Sequence, residues 1–380
     1  MVPPLRDMPS EMGGGMQLGD KLFQLVVKAY RGLSRHVVLP IWQIRVETTK
    51  SCNLKCPGCR RNFKASISSE PGARHLTVGM LELMIRDTST KVVRWEGDGE
   101  PLANPHFKDL IKYCGLHRIK SMLCTNGTLL TREYVRLLEE NGVFRIHISF
   151  DGARRDTYER LRVGADYDKV IYNCKMVGES KIPLFMSIVL FNEEIIEELP
   201  EYVELGKRVG AAGIHMLSLQ QEDVGFYGLA PDLSKYENEL KRFRGLVESN
   251  GMLFVSTVSG APHFVDCDDA YTNPYGLLNG DIYPCQYIAN LRRGEVYQGI
   301  RFTVPHLNYK MGNLYETTMQ KAWHSKGWQE LRKVLKESRQ PRGKVILPGE
   351  LLEMKRSEET NRSRFSYCAV CPARWGVCGK

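Results

Sequence analysis

The stretch "CNLKCPGC" occupies residues 52–59 and begins two residues after the end of the apolar segment "IWQIRVETT" at 41–49. Its three cysteines, Cys52, Cys56 and Cys59, are separated by three residues and then by two. A cubane iron–sulfur cluster takes four protein thiolates when it is saturated, and a structural zinc ion also takes four ligands. Three cysteines on one loop therefore predict a metal centre that keeps one coordination position open for a small molecule.

Beyond this loop, short apolar segments alternate with amphipathic ones. The strand candidates after 41–49 are "KVVRWEG" (91–97), "IKSMLCTN" (119–126), "FRIHISFDG" (144–152), "PLFMSIVLF" (183–191) and "GIHMLSLQ" (213–220), with helical patterns between them. Such alternation is typical of a parallel sheet that is covered by helices. Six such units predict an α/β fold, a partial (β/α)6 barrel of the TIM type. In that architecture, the loops that follow the strands form the active face.

Polar motifs occur where the predicted strands end. The cysteine loop follows the first strand, "EGDGEP" follows the second, "TNGT" the third, and "SFDGA" closes the fourth. Because parallel strands end at one edge of a sheet, these motifs are expected to meet there. Helix packing alone would not place them at strand ends.

Bulk composition is that of a globular protein. The chain has 380 residues, of which 42% are hydrophobic and 26% charged, and this excludes wholesale disorder. Its formal net charge is +9, without a basic run interleaved with aromatics that would indicate nucleic-acid binding. No apolar run is long enough to span a bilayer. Eleven clustered cysteines favour metal ligation in a reducing compartment, so a cytoplasmic location is expected.

Three regions are predicted along the chain. Residues 1–36 hold a Gly- and Met-rich leader and a basic amphipathic helix at 17–36, which either packs on the main domain or lies at a membrane interface. Residues 37–230 form the barrel. Residues 231–380 form a smaller cysteine-bearing module, in which "NGDIYPC" predicts a hairpin turn with positive φ at Asn279-Gly280.

The C-x3-C-x2-C loop, together with the barrel pattern, resembles the radical S-adenosylmethionine superfamily. The resemblance implies a [4Fe–4S] cluster on Cys52, Cys56 and Cys59, S-adenosylmethionine chelated at the open iron, and an electron donor such as ferredoxin or flavodoxin. Reductive cleavage would then yield a radical that abstracts a hydrogen atom. A zinc site with a fourth ligand from elsewhere is the alternative for this loop.

The same resemblance implies contacts to the cofactor. "DGEP" (98–101) resembles the family's Gly-Gly-Glu-Pro stretch, which puts Gly99 and Glu100 near the methionine amino group, although Asp98 replaces the first glycine. Further polar contacts are expected from Asn126 and from Ser149. Arg162 resembles the arginine that pairs with the methionine carboxylate, with Arg160 as a competitor. The residue before the third cysteine is commonly aromatic and lies against the adenine, but in this chain it is Gly58.

A second set of five cysteines lies near the C-terminal end. Together with "MGNLYETTMQKAWHSKGWQELR", it resembles the SPASM/twitch extension over about residues 260–380. Five cysteines suffice for one auxiliary [4Fe–4S] cluster, with Cys371 preferred over Cys378 for the last ligand and a structural zinc ion as the alternative. The five are Cys267, Cys285, Cys368, Cys371 and Cys378.

These observations predict a radical enzyme that abstracts a hydrogen atom from an unactivated carbon, with the auxiliary cluster aiding electron transfer. Its substrate would be a peptide or protein side chain or a sugar alcohol. Gly58 and the basic helix motivate a second substrate class, a membrane lipid or lipid-linked glycan. A non-catalytic iron–sulfur or zinc protein is the alternative of another kind. The sequence does not identify a general base.

Overall fold

The structure is a computed structural model. It describes residues 38–59, 74–218, 233–256, 272–285 and 309–337, along with Ala29, Arg61, Ala289 and the short segments 296–297 and 300–301. The chain separates into two compact units, Met1–Leu39 and Pro40–Lys380. The predicted leader and basic helix lie outside the described residues, apart from Ala29. Among the helices that are described, none has the length and apolar character needed to cross a bilayer.

The described residues of the second unit include a ten-stranded sheet. Strands β1 to β7 pair in parallel and in chain order, each with the next. They are β1 (Gln43–Glu47), β2 (Val92–Glu96), β3 (Lys120–Thr125), β4 (Val143–Ser149), β5 (Leu184–Leu190), β6 (Gly213–Ser218) and β7 (Leu253–Ser256). The parallel sheet is open and consistent with a partial barrel.

Helices follow the strands, as parallel connections require. They are α1 (Val78–Ile85), α2 (Phe107–Leu116), α3 (Arg132–Glu140), α4 (Arg155–Leu161), α5 (Tyr167–Gly178), α6 (Glu193–Glu197), α7 (Leu199–Arg208), α8 (Glu237–Ser249), α9 (Met319–Trp323) and α10 (Lys326–Glu337). Several begin with a side-chain cap from the residue before the helix. Thr77, Thr131 and Asp166 each accept a hydrogen bond from a backbone N–H of the first turn.

All six predicted strands of the barrel are present. The predicted end of the strand–helix pattern near residue 230 is wrong, because α8 is followed by a seventh parallel strand, β7, which pairs with β6. The sequence "LFVS" of this strand spans only four residues, and each of them is only partly buried.

The remaining strands extend the same sheet beyond β1. Strand β8 (Tyr275–Gly276) pairs in parallel with β1, and β9 (Asp281–Tyr283) pairs antiparallel with β8. The predicted hairpin is therefore present, and Gly280 has a φ of +82°. Asn279 does not share the positive φ, so the turn differs from the expected two-residue type. Strand β12 (Gly312–Asn313) completes the sheet, and β10 (Val296–Tyr297) pairs with β11 (Ile300–Arg301) apart from it.

Alternation along the strands divides the sheet into two faces. One face carries large apolar side chains that are fully buried, such as Ile44 on β1, Trp95 on β2 and Ile146 on β4. The residues that alternate with them along each strand point to the other face and are largely polar, for example Arg45 on β1 and His147 on β4. One face of the sheet thus supplies the hydrophobic core, and the other lines the interior of the partial barrel.

A buried carboxylate holds the start of α4. Glu198, at the junction of α6 and α7, is completely buried. Its Oε2 accepts hydrogen bonds from the backbone N–H groups of Ala153 (2.6 Å) and Arg154 (3.0 Å), and its Oε1 accepts one from Thr157 Oγ1 (2.5 Å). A helix N-terminus carries unsatisfied N–H groups and a partial positive charge. Glu198 accepts hydrogen bonds from these N–H groups and offsets the partial positive charge. It thereby joins α4 to the chain after β5.

We expect Glu198→Ala to lower the free energy of unfolding by about 3 kcal/mol, because three donors, two of them buried, lose their acceptor. Glu197→Ala is the matched control, since the neighbouring side chain is exposed, and it should change stability by less than about 0.5 kcal/mol. Urea denaturation of the two variants and the parent measures the difference. Equal losses in both variants would contradict the assigned role of Glu198.

Candidate functional site

The cysteine loop leaves β1 at the carboxyl edge of the sheet. Cys52, Cys56 and Cys59 are all partly buried and carry free thiols. The loop turns tightly between the last two, where the N–H of Cys59 donates to the carbonyl of Cys56 at 3.1 Å. The backbone N–H of Leu54 lies 3.5 Å from the Cys52 sulfur. The three thiols thus lie within one short turn of chain, with part of their surface open.

The loop after β2 packs directly against the chain that leads into the cysteine loop. A Cβ atom at Gly99 would lie 2.1 Å from the carbonyl oxygen of Thr49 and 2.6 Å from that of Ser51, so a side chain at this position has no room. The next backbone N–H, of Glu100, donates to Ser51 O at 2.8 Å. Glycine at position 99 is therefore what allows the two loops to touch.

The side chain of Glu100 then reaches the end of β3. This carboxylate is buried, with 3% of its surface exposed. Its Oε1 accepts from Leu102 N at 3.1 Å and from Thr125 Oγ1 at 2.5 Å, and its Oε2 accepts from Asn126 N at 2.7 Å. Burial raises the pKa of Glu100, and these donors oppose the rise. One carboxylate thus fixes the loops after β2 and β3 relative to each other.

Asn126 connects the β3 loop to the first cysteine. Its side-chain amide nitrogen lies 3.0 Å from Asn53 Oδ1 and 3.9 Å from the Cys52 sulfur. Asn53 in turn donates to Thr128 Oγ1 at 2.7 Å. Donors aimed at thiolate sulfurs are among the means by which proteins adjust an iron–sulfur centre. Asn126 is placed to act in this way on Cys52.

An ion pair follows β4. Arg162 Nη2 lies 2.5 Å from Asp151 Oδ2, and the other oxygen of Asp151 accepts the N–H of Val189 at the end of β5. Both side chains are largely buried. Burial disfavours the charge of Arg162, but the charges of Asp151 and Cys56 prevail and raise its pKa. The Nε atom of Arg162 is buried and has no hydrogen-bond partner among the described residues, so this guanidinium keeps a donor available.

Arg160, the competing arginine, points elsewhere. Its guanidinium contacts Glu194 on α6 and is half exposed. Only Arg162 of the two influences the cysteine loop, where its charge lowers the pKa of Cys56 against the larger effect of burial, which raises it. Burial also raises the pKa of Cys59, opposed by a backbone hydrogen bond from Arg61. Burial thus disfavours the thiolate forms of Cys56 and Cys59, and a bound metal, which requires thiolates, would favour them.

Ser149 ends β4 and pairs in register with Ser187 of β5. Below it, the interior of the sheet carries a polar cluster that the sequence reasoning missed. His147 Nδ1 lies 3.2 Å from Ser187 Oγ, and the rings of His147 and His215 meet edge to face at 5.3 Å. Burial lowers the pKa of His215 to about 4, and nearby arginines on β2 and β4 act in the same direction. Polar and charged residues alternate with apolar ones along these strands, and this alternation was the sequence signal for the polar cluster.

The structure thus gathers the first cysteine set with Gly99, Glu100, Asn126 and Arg162 at one edge. Their assignment to parts of a cofactor stays a prediction. Of the second cysteine set, Cys285 follows β9 and is buried. The other predicted ligands of that set, Cys267, Cys368, Cys371 and Cys378, lie outside the described residues.

Two protein-family models match the chain. The model for the radical SAM superfamily matches residues 46–206, which include the end of β1, all of β2 to β5, and the cysteine loop with Gly99, Glu100, Asn126 and Arg162. The model for the iron–sulfur cluster-binding domain SPASM matches residues 275–372, beginning at β8. The two matches together cover both cysteine sets except Cys267 and Cys378.

Known proteins share parts of this sequence and fold. An AdoMet-dependent heme synthase of Methanosarcina barkeri is 28% identical over 221 residues, 57% of this chain and 61% of that protein. Mycofactocin maturase MftC of Mycobacterium tuberculosis is 26% identical over 193 residues, 50% of this chain and 46% of that protein. The matches therefore span about half to three fifths of these relatives. The crystal structure of Streptococcus suis SuiB bound to precursor peptide SuiA has the same fold, with a TM-score of 0.61 at 15% identity, over 87% of this chain and 75% of that one.

The Asp151–Arg162 pair should matter far more for stability than an exposed pair of equal length. Asp151→Asn leaves a buried guanidinium without its counter-ion and should cost about 3 kcal/mol of unfolding free energy. Glu201→Gln is the control, because the Glu201–Arg154 pair is also 2.5 Å long but about half exposed, and its loss should cost less than about 1 kcal/mol. Urea denaturation of the metal-free chain compares them. Similar costs would show that the Asp151–Arg162 pair is solvated.

Proposed function

We propose that the chain is a radical S-adenosylmethionine enzyme with a SPASM domain, and that it abstracts a hydrogen atom from an unactivated carbon of a peptide or protein side chain. One [4Fe–4S] cluster would bind to Cys52, Cys56 and Cys59. An auxiliary cluster in the SPASM domain would accept or relay an electron. A ferredoxin or flavodoxin would supply the reducing electron.

The observation that carries this proposal is the composition of the carboxyl edge. Three partly open thiols lie near a buried arginine, whose Nε has no hydrogen-bond partner in the part of the chain that the structure describes. They also lie next to a loop whose backbone is fixed by Glu100. A ligand with a carboxylate and an amino group suits such a site, because the guanidinium can take the carboxylate and oxygen acceptors can take the ammonium. The residues present therefore fit a cluster with S-adenosylmethionine bound to it.

Each described residue has a definable task there. The cysteines hold the cluster, and the Asn126 amide donates to the sulfur of Cys52. Glu100 and Gly99 hold the loop after β2 against the cysteine loop. The backbone that would lie near the methionine amino group therefore keeps its position. Asp151 orients Arg162 toward the carboxylate end. When bound, cluster and cofactor supply the one-electron chemistry that the protein itself lacks.

A peptide or protein substrate is supported by two of the similar proteins. SuiB has been crystallised with a precursor peptide, and MftC is named a maturase. The SPASM domain of this chain begins at β8, which extends the same sheet as the barrel, so an auxiliary centre would share a rigid frame with the first site. A sugar alcohol is the competing substrate class.

Transfer of deuterium tests the substrate class. A lysate from cells grown on deuterated medium would be split into a macromolecular and a small-molecule fraction. Each fraction would be incubated with the reconstituted protein, S-adenosylmethionine and dithionite. We expect deuterium in 5′-deoxyadenosine only with the macromolecular fraction, and its loss after protease treatment. Deuterium delivered by the small-molecule fraction, or by a protease-resistant lipid extract, would refute a peptide substrate.

Cys56→Ala should abolish reductive cleavage of S-adenosylmethionine, because a cluster held by two thiolates lacks the ligand set that the site requires. Cys114→Ala is the matched control. Cys114 is buried in α2 as a small apolar side chain, so its loss should leave cleavage in place. The measurement is 5′-deoxyadenosine formed with dithionite and without substrate. Cleavage that survives in Cys56→Ala contradicts the assignment of this cluster.

Cys285→Ala should distinguish the roles of the two cysteine sets. A cluster saturated by protein thiolates has no open iron for the cofactor, so cleavage of S-adenosylmethionine should persist while product from the true substrate is lost. Iron should fall from about eight to about four per chain. Unchanged iron and turnover would show that Cys285 is not a cluster ligand, and loss of zinc with unchanged iron would favour a structural zinc site.

A further inference from the structure

A surface patch begins where the cysteine loop reaches solvent. Lys55, which lies between the first two cysteines, is exposed, and its backbone N–H donates to the carbonyl oxygen of Val163 at 2.9 Å. Val163 lies just after α4, and 42% of its surface is exposed. A cation and an exposed apolar residue are thus neighbours at the outer side of this loop.

The patch continues across the first turns of α3 and α5. Tyr172 on α5 is 54% exposed, and the guanidinium carbon of Arg132, the first residue of α3, lies 5.9 Å from the centre of its ring. Lys169 lies three residues before Tyr172, and residues at this spacing are neighbours on one side of a helix. Both cations are exposed. An exposed aromatic ring thus has one positive charge over its face and a second one turn of helix away.

Two hydrogen bonds connect α5 with the cysteine loop. The side-chain amide of Asn173 donates to the carbonyl oxygen of Gly127 at 2.8 Å, in the loop after β3. In the same loop, Thr128 Oγ1 accepts from the side chain of Asn53 at 2.7 Å. The two parts of the surface therefore belong to elements that are joined at the carboxyl edge. The residues that we call the basic patch are Lys55, Arg132, Val163, Lys169 and Tyr172.

The three cations of the basic patch, Lys55, Arg132 and Lys169, form no ion pair within the described ranges of the chain. Two of them also occupy unfavourable positions, since Arg132 and Lys169 lie in the first turns of α3 and α5. The N-terminus of a helix carries a partial positive charge, which favours anions and disfavours cations. Each of these side chains therefore adds to the positive potential of its helix end.

The exposed carboxylates nearby have other partners. Asp168 lies 2.5 Å from Arg155, and Glu133 lies 3.9 Å from Lys108. Asp166 caps α5 by accepting the backbone N–H of the third residue of that helix at 2.9 Å. The basic patch thus keeps an excess of positive charge that a negatively charged partner could neutralise.

We propose that the basic patch is the docking surface for the protein that supplies the reducing electron, and that this partner is a small acidic electron-transfer protein. The inference rests on the proposed function, which requires an external one-electron donor, and adds the place where that donor binds. One electron passes from the donor to the cluster, so the donor is oxidised and no bond is made or broken in this step. Ferredoxins and flavodoxins carry an excess of Asp and Glu, which complements the three cations.

The position and the size of the basic patch favour such a donor over other partners. Lys55 directly precedes Cys56, so a protein bound here approaches the predicted cluster through the shortest possible length of chain. Electron-transfer encounters are weak and bury less than about 1,200 Å² in total, and opposite charges steer them. Tyrosine and arginine are also enriched in protein interfaces. A few cations around one tyrosine and one valine therefore suffice for a transient partner, whereas a stable dimer would need a larger apolar surface.

The test compares two ways of reducing the reconstituted full chain, with a flavodoxin and a ferredoxin as protein donors and with dithionite. Arg132→Glu combined with Lys169→Glu should lower kcat/KM for the protein donor by about tenfold, because the steering charge is reversed. Cleavage driven by dithionite should be unchanged, since this reductant needs no docking surface. The Kd of the donor, measured without S-adenosylmethionine, should rise by the same factor, and the Kd for the parent protein should rise with salt.

Two further variants serve as controls. Lys91→Glu combined with Lys120→Glu makes the same change in net charge at the opposite, amino edge of the sheet, where both side chains are exposed, and should leave the Kd of the donor unchanged. Tyr172→Ala should raise this Kd but leave its salt dependence as in the parent, because the ring carries no charge.

Several results would overturn the proposal. Equal losses in the two double variants would show an effect of net charge alone, and an equal loss of dithionite-driven cleavage would show damage to the site. An unchanged or salt-independent Kd, or no binding of either donor, would assign the basic patch to another partner, such as a second copy of the chain or an anionic membrane. Dithionite-driven cleavage by the parent tests the proposed function, and donor binding is measured even when cleavage fails, so the two failures are distinguishable.

Discussion

The buried carboxylate of Glu100 is the constraint on which the arrangement of the site depends. Parallel strands bring their carboxyl ends to one edge, but they do not fix the loops that follow. Glu100 does so, since its backbone binds the segment before Cys52 and its side chain accepts from Thr125 and Asn126 at the end of β3. Three successive loops are thereby joined through one residue. A buried carboxylate is costly unless donors surround it, so the site is fixed only when all three loops are in place.

Much of this could be predicted from the sequence. Apolar runs located six strands, and their ends located the loops that meet. The seventh strand was missed because it has only four residues, although Leu253, Phe254 and Val255 are apolar. Arg160 and Arg162 could not be separated in the sequence, as they lie two residues apart. Tertiary packing separates them, since one faces solvent beside α6 and the other lies beside Asp151.

Other features depend on contacts between distant parts of the chain. Gly58 looked like a missing aromatic residue, and only the packing of Phe191, the residue after β5, against the cysteine loop shows that a side chain at this position has no room. Glu198 belongs to an acidic run, "EEIIEELPE", in which no local pattern distinguishes the one buried carboxylate. Its role follows from the N-terminus of α4, which reaches it from another part of the fold.

The pairing of β8 with β1 has a consequence for how this chain acquires its structure. Strand β1 lies between β2 and β8, and its partner β8 is synthesised more than two hundred residues later. Contacts of such long range slow folding, because a large loop must close before they form. Until then, one side of β1 is an unpaired edge beside the cysteine loop, and such edges invite aggregation. The nascent barrel therefore depends on the later hairpin of β8 and β9 to cover this edge.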